Sequence, residues 1–152
     1  MILSSKERRL AYMSSFLFDT NALIYWTYQH SPFHEEVSKL LEASLQSKNS
    51  ICALASSLKD VYFALCSHYT DEATARRSIA LIAEVFDLVD LSGLLVWDAI
   101  DSDEPDYEDG LIRAAAEALQ VDAIITYDSK AFRNSPIPKL TAQEAIQKLF
   151  KY

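Results

Sequence analysis

The feature that most constrains this chain is an alternation of short apolar runs with longer stretches of helical periodicity. The runs at Phe16–Asp19, Ser50–Leu54, Leu88–Leu91 and Ala123–Thr126 are too short for helices and read as buried strands, with Lys139–Leu140 as a fifth. Between them, apolar residues recur every three or four positions. Val37, Leu40, Leu41 and Leu45 form one stripe in His34–Gln46, and Leu58, Val61, Tyr62, Leu65 and Tyr69 form another. Ala75, Ile79, Ile82 and Phe86 form a third in Asp71–Phe86. Shorter helices are expected at Ala22–Tyr28 and Gly93–Ile100. The acidic loop Asp101–Asp109 runs into a helix burying Leu111, Ala114, Ala115 and Ala118, and Ala142–Phe150 forms a final helix. Wholly apolar strands separated by helices imply an α/β fold, a parallel sheet covered on both faces. In such sheets ligands gather beyond the carboxyl ends of the strands.

The 152 residues suffice for one domain with a sizeable core. A net charge of −8 argues against a surface that coats nucleic acid, which needs a basic stripe. It leaves room for an enzyme that meets nucleic acid through metal ions and a few local cations. With Gly93 and Gly110 as the only glycines, no glycine-rich phosphate loop can be written. No apolar run approaches membrane-spanning length, so no membrane partner is expected. MILSSKERRLAYMSS carries charges where a signal peptide needs its apolar segment, and the expected location is the cytoplasm. Cys52 and Cys66 lie on apolar stretches without ligand-like spacing and read as reduced, buried thiols.

Acids fall where the topology puts ligands. Asp19 ends the first strand, Asp60 lies in the first turn after the second, and Asp106 and Asp109 open the alanine-rich helix. Asp128 follows the fourth strand. Each has an ordinary structural role available. Asn21 suits a helix N-cap, and Ser57-Leu-Lys-Asp60 has the form of a capping box. Pro105 suits the first helical position, with Asp106 and Asp109 complementing the helix dipole or Asp109 pairing with Arg113. Asp128 suits the cap of a turn leading to Phe132. Together, however, such acids repel one another unless a cation sits among them, and hard divalent ions with oxygen ligands are the natural partner.

An apolar strand ending in Asp19-Thr-Asn21, the helix Ser56-Ser-Leu-Lys-Asp60, the start Asp106-Tyr-Glu-Asp109 and a strand ending in Thr126-Tyr-Asp128 resemble, in this order, a PIN domain. The likeness is greatest to the VapC-like toxin branch and covers Phe16 to the C-terminus. It implies a three-layer α/β/α fold with a central, mostly parallel sheet of four to five strands. Residues 16–152 then form a single domain and residues 1–15 an N-terminal extension. By the same resemblance Asp19, Asp60, Asp109 and Asp128 are the catalytic acids, and Asp19, Asp109, Asp128 and Asp106 the candidates to bind Mg²⁺ or Mn²⁺. Asn21 and Thr126 support them. Asp106 and Asp109, placed off the apolar stripe, are expected to point away from the core.

The activity so implied is a metal-dependent endoribonuclease cleaving RNA with a metal-activated water, the toxin of a type II toxin–antitoxin pair. Its partners would be an RNA substrate, a cognate antitoxin protein and a second copy in a homodimer. Lys59, Arg113 and Lys130, with Arg133, are candidate RNA contacts, or else ordinary surface cations. Many relatives carry a second acid where this chain has Ala131, which motivates an alternative: a catalytically weak or inactive PIN-like scaffold that binds a partner protein or RNA. A receiver-type phosphoacceptor domain is disfavoured, because Asp19 stands alone after the first strand. His30 and His34 have a metal-like spacing, but the intervening Ser31-Pro32 favours a helix entrance. His68 is expected near a helix end, and Tyr25, Trp26 and Tyr28 are read as core or interface aromatics before base-stacking ones.

Overall fold

The computed structural model describes residues 14–149. Five parallel strands, β1 (Ser15–Phe18), β2 (Ser50–Leu54), β3 (Asp87–Val89), β4 (Ala123–Ile125) and β5 (Lys139–Leu140), form one sheet in the order β3-β2-β1-β4-β5. The helices are α1 (Thr20–Thr27), α2 (His34–Gln46), α3 (Ser57–His68), α4 (Glu72–Val85), α5 (Gly93–Ile100), α6 (Tyr107–Leu119) and α7 (Ala142–Leu149). Residues 1–13 of the expected N-terminal extension, and Phe150 of the expected last helix, lie outside the described residues.

The twofold alternation of side chains along a strand explains the layers. Phe16, Phe18, Ile51, Ala53, Ala123 and Ile125 point to one face of the sheet, where α1, α2, α3, α4 and α7 supply Leu23, Leu40, Val61, Ile82 and Ala145. Leu17, Cys52, Leu54 and Ile124 point to the other face, where α5 and α6 supply Leu95, Ala99, Ile112 and Ala115. Because both faces are covered, the three central strands read as continuous apolar runs. The expected α/β/α architecture with a parallel sheet is therefore observed, with β3 at the exposed edge. β3 begins at Asp87, one residue earlier than expected, and ends at Val89; Asp90 and Leu91 follow it as irregular backbone.

The aromatic residues of α1 are structural. Trp26 packs edge-on to Phe86, Tyr28 against Tyr69, and Tyr25 against the stacked pair Phe33 and Tyr127. His34 also has a local role: its Nδ1 lies 3.2 Å from the Tyr25 carbonyl and its Nε2 3.4 Å from Ser38 Oγ. His68 is the last residue of α3 and is exposed. Cys52 is buried, Cys66 is half-buried, and both are free thiols.

Candidate functional site

The pairing register brings the acids together. Phe18 stands opposite Ala53 on one side and Ile125 on the other, so β1, β2 and β4 end at one level. The Asp19 N–H donates to the Ile125 carbonyl at 2.9 Å, which holds Asp19 against Thr126. Asp19 is only 5 % exposed. Its Oδ1 accepts from the Thr20 N–H at 2.8 Å and its Oδ2 from Thr126 Oγ1 at 2.9 Å. Asp19, rather than Asn21, is therefore the cap of α1, because the helix starts two positions earlier than the periodicity suggests. Asn21 lies within the helix, and its Oδ1 accepts from the Tyr127 N–H at 3.3 Å. That bond fastens α1 to the segment after β4. Thr126 also accepts from the Asp128 N–H at 3.1 Å, so one hydroxyl links the two acids.

On the opposite face of the sheet, Asp106 caps α6, accepting from the Asp109 N–H at 2.8 Å. Pro105 therefore precedes the cap instead of occupying the first helical position. The two acids of this turn differ. Asp106 is exposed, but Asp109 is buried, contrary to the expectation that both point away from the core. Next to Asp109, α6 lies close over α5 through Gly110, where an added Cβ would sit 2.8 Å from Ser102 Oγ and 2.9 Å from the Ala99 carbonyl oxygen.

Glu108, which was not singled out from the sequence, completes the cluster. Its Oε1 accepts from Thr20 Oγ1 at 2.8 Å, joining α6 to α1 across the strand end. The only sequence signal for it was its place inside Asp106-Tyr-Glu-Asp109. Asp60 is exposed in the first turn of α3. No capping box forms there: Ser56 holds the N-cap position without a side-chain capping bond, and Ser57 is buried as the first residue of the helix. The electrostatic coupling is direct. Burial pushes the Asp19 carboxyl up to about 6, with the charges of Asp128 and Asp106 adding to the rise. Burial likewise pushes Asp109 up to about 7, reinforced by Asp106, Asp19 and Asp128. Glu108 is raised by burial, with further contributions from Asp60, Asp19 and Asp106.

Asp128 behaves oppositely. Its Oδ1 accepts from the backbone N–H groups of Lys130 (2.7 Å) and Ala131 (3.0 Å), and these bonds hold its carboxyl below the usual range. Asp128 is thus both turn cap and cluster member. Lys139, unrecognised in the sequence, donates Nζ to the carbonyls of Asp128 (3.0 Å) and Ala131 (2.7 Å) and holds the same turn from below. Ala131 is fully buried and belongs to the apolar core beside α5 and α6.

The candidate RNA cations separate into two kinds. Lys130 is exposed beside Asp128, while Lys59 is exposed with its Nζ 5.9 Å from the Phe63 ring centre. Arg113 is instead consumed in a network. It binds Asp103 at 2.6 Å, Glu104 at 3.0 Å and Glu117 at 3.0 Å, and also the Asn134 carbonyl. The pairing with Asp109 considered from the sequence is not among its bonds. Arg133 is exposed and donates to the Ser129 carbonyl.

The donors of the cluster are hard carboxylate oxygens, mutually repelling and partly buried, which is the chemistry a divalent ion would relieve. As they stand, the carboxylates face N–H and O–H groups. Among the described residues no three His, Cys, Asp or Glu side chains form a group that could hold a metal ion. Mg²⁺ commonly retains several waters and takes one or two carboxylates, so it does not require such a group.

Comparison with known proteins bears on this arrangement. The family model described as PIN domain matches residues 15–130. None of the curated proteins matches the chain. Among solved structures, VapC20 of Mycobacterium tuberculosis, described as a sarcin-ricin loop cleaving toxin, superposes with a TM-score of 0.64 at 12% identity, covering 74% of this chain and 89% of that one. VapBC2 of Rickettsia felis, bound to a DNA fragment from its promoter, gives 0.67 at 15% identity over 84% of this chain and 98% of that one. FitAB bound to an IR36 DNA fragment gives 0.65 at 14% identity, covering 84% and 94%. The shared fold and the family match from Ser15 to Lys130 lead to one assignment: the chain belongs to the PIN domain family.

Proposed function

We propose that this protein is a metal-dependent endoribonuclease. The observation that carries the reading is the convergence of Asp19, Asp109, Asp128, Asp106 and Asp60 on one sheet edge, with Asp19 and Asp109 each raised by burial and further by the charge of their neighbours. Asp19, Asp109 and Asp128 would hold Mg²⁺ or Mn²⁺, with Asp106 as a further ligand and Asp60 completing the set directly or through water. The ion would supply an activated water and charge neutralisation at the scissile phosphate.

The chain's own residues do the rest. Thr126 orients Asp19 through its hydroxyl, and Asn21 fixes the segment carrying Asp128. Lys130, exposed beside the cluster, offers a phosphate contact. Arg113 serves the scaffold instead. In a pure preparation with Mg²⁺ or Mn²⁺, the protein is expected to cleave single-stranded RNA, and Asp19→Asn to abolish cleavage without unfolding. Full cleavage by Asp19→Asn would sink the mechanism.

The nearest alternative is an inactive scaffold, favoured by the open arrangement of the carboxylates. Calorimetric titration with Mn²⁺ separates the two: binding lost in Asp19→Asn supports the nuclease, and no binding by the wild type supports the scaffold.

The same reading makes the protein a toxin held by a cognate antitoxin and forming a homodimer. Its support is the likeness to VapBC2 and FitAB, together with the exposed apolar face of α5, where Leu94, Trp97 and Ile100 recur at helical spacing. Sedimentation of the purified chain tests the dimer, and co-purification with the product of a neighbouring reading frame tests the antitoxin.

A further inference from the structure

Between the first turns of α3 and α6 lies a cavity of about 360 Å³. Leu54, Leu111 and Ile112, all buried, line it deeply, while Leu91 and Tyr107 are 41% and 49% exposed and belong to its rim. Ser56 and Ser57 add hydroxyl groups. Asp60 and Glu108 line the same cavity and also belong to the acid cluster, so cavity and cluster are continuous.

We propose that this cavity is a nucleobase subsite, taking one unpaired base of the RNA strand whose backbone lies over the acids. The proposal rests on the nuclease reading above. An apolar slot with an aromatic rim suits a flat heteroaromatic ring, because every base has a π-face that stacks on tyrosine. The hydroxyl groups suit the polar edge of a base. Charge bears on which part of a nucleotide enters: Lys59 also lines the cavity, but the two acids Asp60 and Glu108 outnumber it and leave a neutral base favoured over a phosphate. Glu108 lines the cavity beside Tyr107 and feels the charges of Asp19 and Asp106, so a base stacked there belongs to a nucleotide near the cleaved bond. The cavity would thus contribute sequence preference, and Tyr107 would be a specificity residue.

The test uses the full chain and short unstructured RNA oligomers in which a single abasic ribose is walked through the positions around the cleaved bond. Binding is followed by fluorescence anisotropy in EDTA, and cleavage in Mg²⁺. For the wild type, one abasic position is expected to weaken binding about tenfold, the loss of one stacked base. Tyr107→Ala should weaken the intact oligomer by a similar factor, mainly through KM, and should no longer distinguish intact from abasic RNA. Tyr107→Phe should behave as wild type. Equal weakening of intact and abasic oligomers by Tyr107→Ala, or indifference of the wild type to every abasic position, overturns the subsite. The second result, with cleavage intact, leaves the nuclease standing and points to a protein side chain as occupant. Absence of any RNA binding or cleavage by the wild type overturns both. The abasic scan needs no variant, so instability of Tyr107→Ala would not leave the proposal open.

Discussion

Asp19 shows how much one residue carries. It terminates β1, caps α1, and presents a buried carboxylate held by Thr20 and Thr126. The Thr126 bond both orients the acid and partly offsets its burial, since a hydrogen bond to the charged form favours that form. Thr126→Val keeps the shape of the buried side chain and removes the hydroxyl. Cleavage is then expected to fall about 10–100-fold, the usual range for a residue orienting a metal-binding acid. The carboxyl of Asp19 should titrate still higher, read by carbon-13 NMR of the labelled side chain. Unchanged activity with an unchanged titration would assign Thr126 a packing role only.

At the scale of elements, the decisive contact is α5 against α6. Gly110→Ala would gain about 0.5–1 kcal/mol of helix propensity. It would also force a Cβ to 2.8 Å from Ser102 Oγ and 2.9 Å from the Ala99 carbonyl oxygen; the serine can rotate away, but the backbone oxygen cannot. Overpacking of that kind costs about 1–3 kcal/mol, so it outweighs the gain. A drop in Tm of about 2–4 °C is expected for each net kcal/mol lost, measured by thermal unfolding. Because Asp109 is adjacent, Mn²⁺ affinity should fall as well.

A second fastening joins α6 to the turn that carries Asp128. The side chain of Glu104 is 2% exposed; it binds Arg113 through Oε2 and accepts from the Phe132 N–H at 2.6 Å through Oε1. Phe132 has φ 65, a left-handed conformation costly for a large side chain, and is held there by this bond and by burial of its ring. Glu104→Ala leaves the Phe132 N–H without its acceptor. A loss of about 1–3 kcal/mol is expected, because Arg113 keeps Asp103 and Glu117. A change in Tm below that of an ordinary surface substitution would show that the turn stands without Glu104.

For the whole molecule, the cluster sets a pH dependence. Asp19 and Asp109 hold protons in the folded state to about 6 and about 7, whereas the unfolded chain releases them near the ordinary carboxylate value of about 4. A raised folded pKa means that the folded state binds more protons, so stability falls as pH rises through the window from about 4 to 7. Asp128, with its lowered pKa, acts in the opposite sense, losing its contribution as pH falls below that window. The metal-free protein should therefore melt lower at pH 8 than at pH 5, and Mg²⁺ or Mn²⁺ should restore more at pH 8. Asp109→Asn should flatten the metal-free profile. A Tm that rises steadily from pH 5 to pH 8 without metal would contradict the coupled cluster.

The strands, the paired helical layers and the positions of five of the acids were legible in the sequence, because hydrophobic period and strand-end position are local properties of the chain. Asp19 was visible as the one charge in an apolar run. What the local pattern could not give was which atoms meet. Glu108, Glu104 and Lys139 acquire their roles from partners 88, 28 and 11 or fewer positions away, across elements that only folding brings together. Arg113 looked like a surface cation and is taken up by three acids, and Asp109 looked exposed and is buried in the fold. The sequence determined by itself that this chain forms a covered parallel sheet with acids at its carboxyl edge. Tertiary structure decided the cap at Asp19, the split in burial between Asp106 and Asp109, and the coupling of the acids, since burial and Coulomb interaction depend on distance in space and not along the chain.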